Sequence, residues 1–481
     1  MTTELMRRWL TGVSGAIVLM AGPALAGTAP SAGDAEINQK IDALEQQIQD
    51  LKAAQSAQFA ESQRATSAQP TFNLNNGRPT FTSADGAFSA SLRALVQFDG
   101  ADFIQKDTLP PGAVSDLSSG TNFRRARIGL SGKFYNVWDY YFLYDFGGSN
   151  GVEGSTISQA YIQYNGFGPV QVRAGAFPPY SSLEDSSGAG DTLFIERASA
   201  TEISRGIAAG DGRSAIALTS SGKSYLASVA YTGGKVGDSG FFDEQEAVVG
   251  RLAYLPWNTG DSKIVIGANG TYLFNPAGAG AGVKSTFTFQ NQPELKVDDN
   301  STRLISAAIA NPKDISQWGV DGAANWKNFY AEGGYFGFGA DRNGVGPAFA
   351  SPDFNGYYAQ ASWTLTGEPR KWDAPSASFR SPNVTHPVNG KAGGFGAWEI
   401  AGRFSEIDLD WNKGVAGKAT PVGGIRGGEQ KIWTAGLNWY PNNALRVLFN
   451  YQHDQINRLS AAGAQIGQDL DAVSVRLQVQ L

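Results

Sequence analysis

Val473-Ser474-Val475-Arg476-Leu477-Gln478-Val479-Gln480-Leu481 alternates apolar and polar residues without a break. A period of two places every second side chain on the same face of an extended strand, so this stretch has one apolar and one polar face. The pattern is found far upstream as well. Phe88, Ala90, Leu92, Ala94, Val96 and Phe98 alternate with Ser89, Ser91, Arg93, Leu95, Gln97 and Asp99. Trp138, Tyr140, Phe142, Tyr144 and Phe146 alternate with Asp139, Tyr141, Leu143 and Asp145. Segments 226–231, 248–254, 264–274, 357–365, 398–404, 433–439 and 445–451 continue it. Clusters of Gly, Asn, Asp and Pro separate them, as turns between antiparallel strands require. Sixteen to eighteen strands are expected from this count.

Alternation alone fits a strand whose apolar face meets either a protein core or lipid. The start of the chain and the placing of its aromatics separate the two. Arg7 and Arg8 precede an apolar run, Trp9 to Met20, which closes on Ala24-Leu25-Ala26. A basic start, a short apolar run and an Ala-x-Ala ending describe a secretory signal peptide, expected over residues 1–26. No later stretch approaches the roughly 18 apolar residues of a membrane-spanning helix. Trp257, Trp326, Trp363, Trp433, Trp439 and Tyr440 stand near strand ends, where the two edges of a membrane select aromatic girdles. Lipid leaves no backbone unpaired, so spanning strands must close on themselves. The expected fold is all-β: a transmembrane antiparallel β-barrel over residues 85–481. Short connections such as Pro441-Asn442-Asn443 are expected on the periplasmic side. Long ones, 178–200, 276–300 and 367–395, are expected to be extracellular or folded inward.

Between leader and barrel the period changes. Ile37, Ile41, Leu44, Ile48 and Leu51 are spaced four, three, four, three, which is a heptad seam. A short coiled-coil segment is expected over 27–59 and a linker over 60–84, whose Ala, Gln, Ser, Thr and Asn content suits a connector.

Composition excludes several classes of function. A net charge of -6 lacks the basic face that nucleic acid requires. The absence of cysteine removes disulfides, thiolate metal sites and cysteine nucleophiles. With His386 and His453 the only histidines, no metal centre and no cofactor are expected. Gly222-Lys223-Ser224 resembles the end of a phosphate-binding loop, but Ala217 stands where that loop needs glycine. No constellation for catalysis emerges, so no enzyme is expected. The acid pairs Glu184-Asp185 and Asp298-Asp299 fall in loops and are expected to be solvated or to contact calcium.

Arginine carries the functional signal. Arg93, Arg125, Arg127, Arg173, Arg251, Arg403, Arg446 and Arg476 all sit at the polar parity of their segments, which in a barrel points into the lumen. A lipid-facing arginine at midplane would cost roughly 2–4 kcal/mol. Arg124 has lipid parity and is expected at a strand end or interface. One reading pairs these arginines with lumen carboxylates (Asp99, Asp139, Asp145, Glu399) to satisfy a polar interior. The other is a ladder of guanidinium groups biasing a pore toward anions.

A further set of residues resembles the phosphate-selective porin O/P family of Gram-negative outer membranes. It comprises Phe123-Arg124-Arg125-Ala126-Arg127, Gly132-Lys133, Gln159-Ala160-Tyr161-Ile162-Gln163-Tyr164, Gly166-Phe167-Gly168-Pro169-Val170, Arg173-Ala174-Gly175-Ala176-Phe177, Pro179-Tyr180-Ser181-Ser182-Leu183-Glu184 and Phe194-Ile195-Glu196-Arg197. The order and spacing cover roughly residues 80–260. The resemblance implies sixteen strands, a trimer and an inward-folded loop narrowing the pore. It also implies anion contacts from Arg124, Arg125, Ser181 and Ser182. Pro178 stands where phosphate-selective members usually have lysine, and Leu481 where such barrels usually end in phenylalanine. General passage of small anions or hydrophilic solutes is therefore expected, along a path of Arg93, Arg124, Arg125, Arg127, Arg173, Ser181, Ser182, Arg251 and Arg403. Two alternatives remain: a sugar porin with Tyr141 and Tyr161 as a stacking track, or a barrel tethering the envelope.

Overall fold

The computed structural model describes residues 32–67, 69–75, 77–106, 116–148, 156–238, 242–260, 262–388 and 393–481. The expected leader, residues 1–26, lies outside them. The chain forms two units, dividing after Gln69.

Among the described residues the first unit holds one helix, α1 (Ala32–Ser67). It runs past the expected coiled-coil boundary because residues 53–67 are rich in Ala, Gln, Ser and Glu, and no proline interrupts before Pro70. Ile37, Ile41, Leu44, Ile48 and Leu51 are all exposed in the single chain.

In the second unit, sixteen antiparallel strands close into a barrel among the described residues. They are β1 (Ser89–Ile104), β2 (Gly120–Phe134), β3 (Trp138–Asp145), β4 (Thr156–Phe167), β5 (Val170–Ala176), β6 (Arg213–Ser221), β7 (Tyr225–Lys235) and β8 (Glu246–Asn258). These are followed by β9 (Ser262–Asn275), β10 (Pro312–Trp326), β11 (Phe329–Arg342), β12 (Asp353–Thr364), β13 (Ala397–Trp411), β14 (Ile425–Asn442), β15 (Leu445–Asn457) and β16 (Asp469–Gln480). Each pairs with its neighbour, and β16 closes on β1 with Arg476 opposite Asp99. Where β16 runs out, a hairpin takes its place: Thr71–Asn75 pairs with Arg78–Thr82, which lies along Ser89–Ser91 of β1. This hairpin occupies part of the expected linker. Its own alternation, Phe72 and Leu74 against Thr71 and Asn73, is short and embedded in Asn and Pro composition.

The outer face is apolar, with Ile128, Leu130, Phe142, Leu252, Ile266, Val320, Phe449 and Leu477 all exposed. Rings mass at the short-turn rim. Phe134, Trp138, Tyr164 and Phe167 follow one another at centroid separations of 5.9, 4.7 and 4.9 Å, and Trp398 stacks on Trp439 at 5.4 Å. Trp326 and Trp363 flank Phe329 in the same band. Tyr440 departs from the expected girdle. It points inward, where its hydroxyl donates to Glu399 at 2.7 Å.

Three inserts fill much of the lumen. The first, 177–212, contains a single helical turn (Leu183–Ser186) and α2 (Ser199–Ala208), whose Ile203 and Ile207 pack on Phe338, Phe354 and Ile407 of the wall. The second, within 276–311, contributes a hairpin (Phe287–Asn291 with Ile305–Ile309) to the same core. Both leave the long-loop rim. The third, 365–396, carries a hairpin (Arg370–Asp373 with Ser378–Pro382) and leaves the rim of short turns, because it joins β12 to β13. It is therefore folded inward from the rim opposite to that of the other two inserts.

Candidate functional site

The inserts divide the inner wall into two regions. On β8 to β16 nearly every inward side chain is buried, from Arg251 through Arg403 to Arg476. The lower parts of β1, β3, β4 and β5 keep theirs half-exposed: Ser91, Arg93, Asp139, Tyr141, Tyr161 and Arg173.

Most of the arginines read from the sequence meet the inserts. Arg476 pairs with Asp99 at 2.6 Å and Glu196 at 2.9 Å. Arg124 pairs with Glu196 at 2.8 Å. Arg125 donates to Gln97 Oε1 at 2.7 Å, with Glu196 at 3.9 Å. Arg127 is held by Asp145 and Asp211, each at 2.6 Å. Arg403 bonds Glu294 of the second insert, donates to Glu196 O at 2.9 Å and stands 3.6 Å from Glu184. Arg251 donates to Ser186 Oγ and Ser376 O, both at 2.7 Å, joining the first and third inserts. Arg446 donates to Thr192 O at 2.7 Å. Arg370, on the third insert, pairs with Glu399 at 3.0 Å.

Arg124 is not at a strand end or interface. Opposite Gln97 and Phe98, β2 places Arg125 and Phe123, so Arg124 is the extra residue of a β-bulge. The bulge lets two consecutive arginines face inward. Just beyond it, the Ala126 N–H donates to Asp145 Oδ1 at 3.0 Å. Gly147 permits the close approach, since a Cβ there would lie 2.6 Å from Ala126 N.

Ser181 and Ser182 are buried as well. Ser181 Oγ donates to Asp185 Oδ2 at 2.9 Å, and Ser182 caps the helical turn by accepting from Asp185 N at 3.4 Å. Of the acid pairs expected to be solvated, Glu184, Asp185 and Asp298 are structural, while Asp299 is exposed. Glu184 and Asp185 are buried, and Asp185 accepts from Arg205 at 2.8 Å. Asp298 accepts from the Ser118 hydroxyl at 2.6 Å and from Thr302 N at 2.6 Å. Among the described residues no cluster of His, Cys, Asp and Glu could hold a metal ion.

Arg93 and Arg173 differ from the rest. Arg93 Nε donates to Ser131 Oγ at 2.6 Å, and Arg173 Nε to Gln163 Oε1 at 2.9 Å. Neither has a carboxylate within salt-bridge distance among the described residues. Their terminal NH2 groups stay available on a half-exposed wall. Arg78 of the hairpin lies within electrostatic reach of Arg93, Tyr141, Asp191 and Arg380. Sequence reasoning missed Glu196, Glu294 and Asp211, which sit in inserts with no periodicity to give them a face.

Charge in the first insert makes docking pH-dependent. Burial alone would raise the Glu202 carboxyl, but Lys296, Arg205 and Arg197 outweigh it and hold the group down to about 2. Burial likewise opposes the Asp211 carboxylate, yet Arg127 and Arg205 hold it well below its ordinary value. A carboxylate depressed on folding contributes stability that is present above its unfolded pKa of about 4 and lost as pH falls toward the folded value. Acidification from about pH 5 to pH 2.5 should therefore loosen the insert. Current noise and protease sensitivity within 196–212 should rise across that window, and constancy of both would refute the assignment.

A closed sixteen-stranded barrel with an apolar belt, an aromatic rim and a polar lumen narrowed by inserts is a porin of the outer membrane. Residues 100–481 match the family described as phosphate-selective porin O and P, and the chain belongs to it. It is similar to Porin O of Pseudomonas aeruginosa, 28% identical over 378 residues, 74% of this chain and 81% of that one. An uncharacterized protein of Caulobacter vibrioides is 24% identical over 432 residues, covering 83% of this chain and 77% of that one. Among solved structures, OprB of Pseudomonas putida covers 82% of this chain and 95% of its own, at 10% identity and a TM-score of 0.48. An anion-selective porin from Comamonas acidovorans covers 82% of this chain and 100% of its own, at 12% identity and a TM-score of 0.46.

Proposed function

We propose that the chain is an anion-preferring outer-membrane porin for passive diffusion of small hydrophilic solutes, exported by its leader and assembled as a trimer with α1 in a coiled coil. The observation that carries the anion preference is the pair Arg93 and Arg173, whose terminal guanidinium nitrogens face the remaining lumen without a neutralising carboxylate. Fixed positive charge on a low-dielectric wall raises the local anion concentration and repels cations. The reading assigns contact with the anion to these two residues. Arg124, Arg125, Arg127, Arg251, Arg403, Ser181 and Ser182 are buried against the inserts and shape the path by holding them.

Reversal potentials across planar bilayers in a potassium chloride gradient test this. The native channel should favour chloride. Arg93→Ala with Arg173→Ala should shift the reversal potential toward zero or invert its sign. Cation selectivity of the native channel would sink the anion reading. An unchanged potential in the double variant would remove these two arginines from it.

A further inference from the structure

The two available arginines do not stand alone. Tyr141 and Tyr161 are directly opposed on β3 and β4, with rings stacked at 5.5 Å and 12°. The Arg93 guanidinium lies over Tyr141 at 5.7 Å, and that of Arg173 over Tyr161 at 4.3 Å and Phe177 at 5.3 Å. The order across the wall is thus Arg, Tyr, Tyr, Arg. Gly175 stands opposite Tyr161, where a Cβ would fall 3.1 Å from that of the tyrosine. The ring therefore has a bare strip of backbone beside it. In each arginine the Nε is fixed by a neutral partner, which orients the planar fork while leaving its outer edge open.

Phosphate is poorly matched to such a row. It is compact and strongly hydrated, and is best held by converging guanidinium groups. Of the arginines that converge here, Arg124, Arg125 and Arg476 share Glu196 and Asp99, and Arg127 is taken by Asp145 and Asp211. A flat ring carrying a carboxylate matches the row at both ends. Its ring can meet the edges of the tyrosine pair, whose faces are taken by each other and by the two guanidinium groups, and its carboxylate can take the paired NH2 edge.

We propose that the row Arg93–Tyr141–Tyr161–Arg173 is a subsite selecting aromatic monocarboxylates among the anions the pore admits. This deepens the anion-porin reading and rests on it. The test is block of the single-channel chloride current in the full-length protein by benzoate, cyclohexanecarboxylate and inorganic phosphate. Benzoate and cyclohexanecarboxylate share charge and similar size, and differ in planarity. Benzoate should half-block at a concentration about tenfold lower than either of the others. Tyr161→Leu should abolish that advantage while Tyr161→Phe retains it. Equal block by benzoate and cyclohexanecarboxylate, or benzoate block surviving Tyr161→Leu, would overturn the proposal. Failure of the anion reading shows separately, in the reversal potential of the native channel.

Discussion

Replacing Glu196 with alanine should release the first insert from the wall and raise single-channel conductance severalfold. Glu196 is 2% exposed and is approached by Arg124, Arg125 and Arg476. Arg476 would keep Asp99, but Arg124 and Arg125 would lose the carboxylate that neutralises them. Removing one partner of a buried ion pair typically costs about 3–5 kcal/mol, because the other charge is left without compensation. Glu196 takes no part in the barrel ladders, so the cost falls on docking of residues 177–212. Protease cleavage within the insert should appear while the far-ultraviolet circular dichroism of the sheet stays the same. Unchanged conductance and protection would show that the apolar contacts of α2 suffice to hold it. Removing the charges together, as Arg124→Met with Glu196→Leu, should recover much of the docking, since no unpaired charge from that pair remains.

Arg403→Ala should act on two inserts at once. The guanidinium bonds Glu294 of the second insert, donates to Glu196 O of the first and lies over the Phe194 ring at 4.6 Å. Its loss leaves Glu294 and Glu184 buried without their nearest cation on the wall. Glu294 would still accept from Ser199 N at 2.7 Å and Ser405 Oγ at 2.6 Å, which tempers the loss without neutralising the charge. A penalty of about 3–5 kcal/mol again applies. Hydrogen exchange should accelerate in both 190–208 and 287–309. Lysine cannot reproduce the fork that reaches carboxylate and carbonyl together, so Arg403→Lys should restore little. Acceleration confined to one insert would disprove the bridging role.

Much of the barrel was legible because its physics is local. A period of two fixes which face each residue takes, so the inward set Arg93, Arg125, Arg127, Arg173, Arg251, Arg403, Arg446 and Arg476 followed from parity. The stacking of Tyr141 on Tyr161 follows from the same rule. The wall carboxylates Asp99 and Asp145, which meet Arg476 and Arg127, followed from parity too, but what the inserts bring to the inward residues was not legible. Arg124 and Glu196 are 72 positions apart, and Arg403 and Glu294 are 109 apart, with no pattern in the inserts to join them. Parity also failed where the ladder itself breaks, at Arg124. The third insert is folded inward, as one of its two expected placements had it, but it enters from the rim opposite to the other two, which only counting strands from β1 reveals.

The bulge at Arg124 bears on insertions and deletions. Elsewhere in a strand, losing one residue turns every later side chain to the wrong face. At position 124 the opposite holds, since Phe123 and Arg125 already face adjacent partners, Phe98 and Gln97. Deleting Arg124 would leave a continuous ladder with each neighbour still on its present side. The extra residue reads as an insertion that added one inward charge without inverting the strand. A change of one residue in strand length is therefore tolerable at this point inside a membrane-spanning segment.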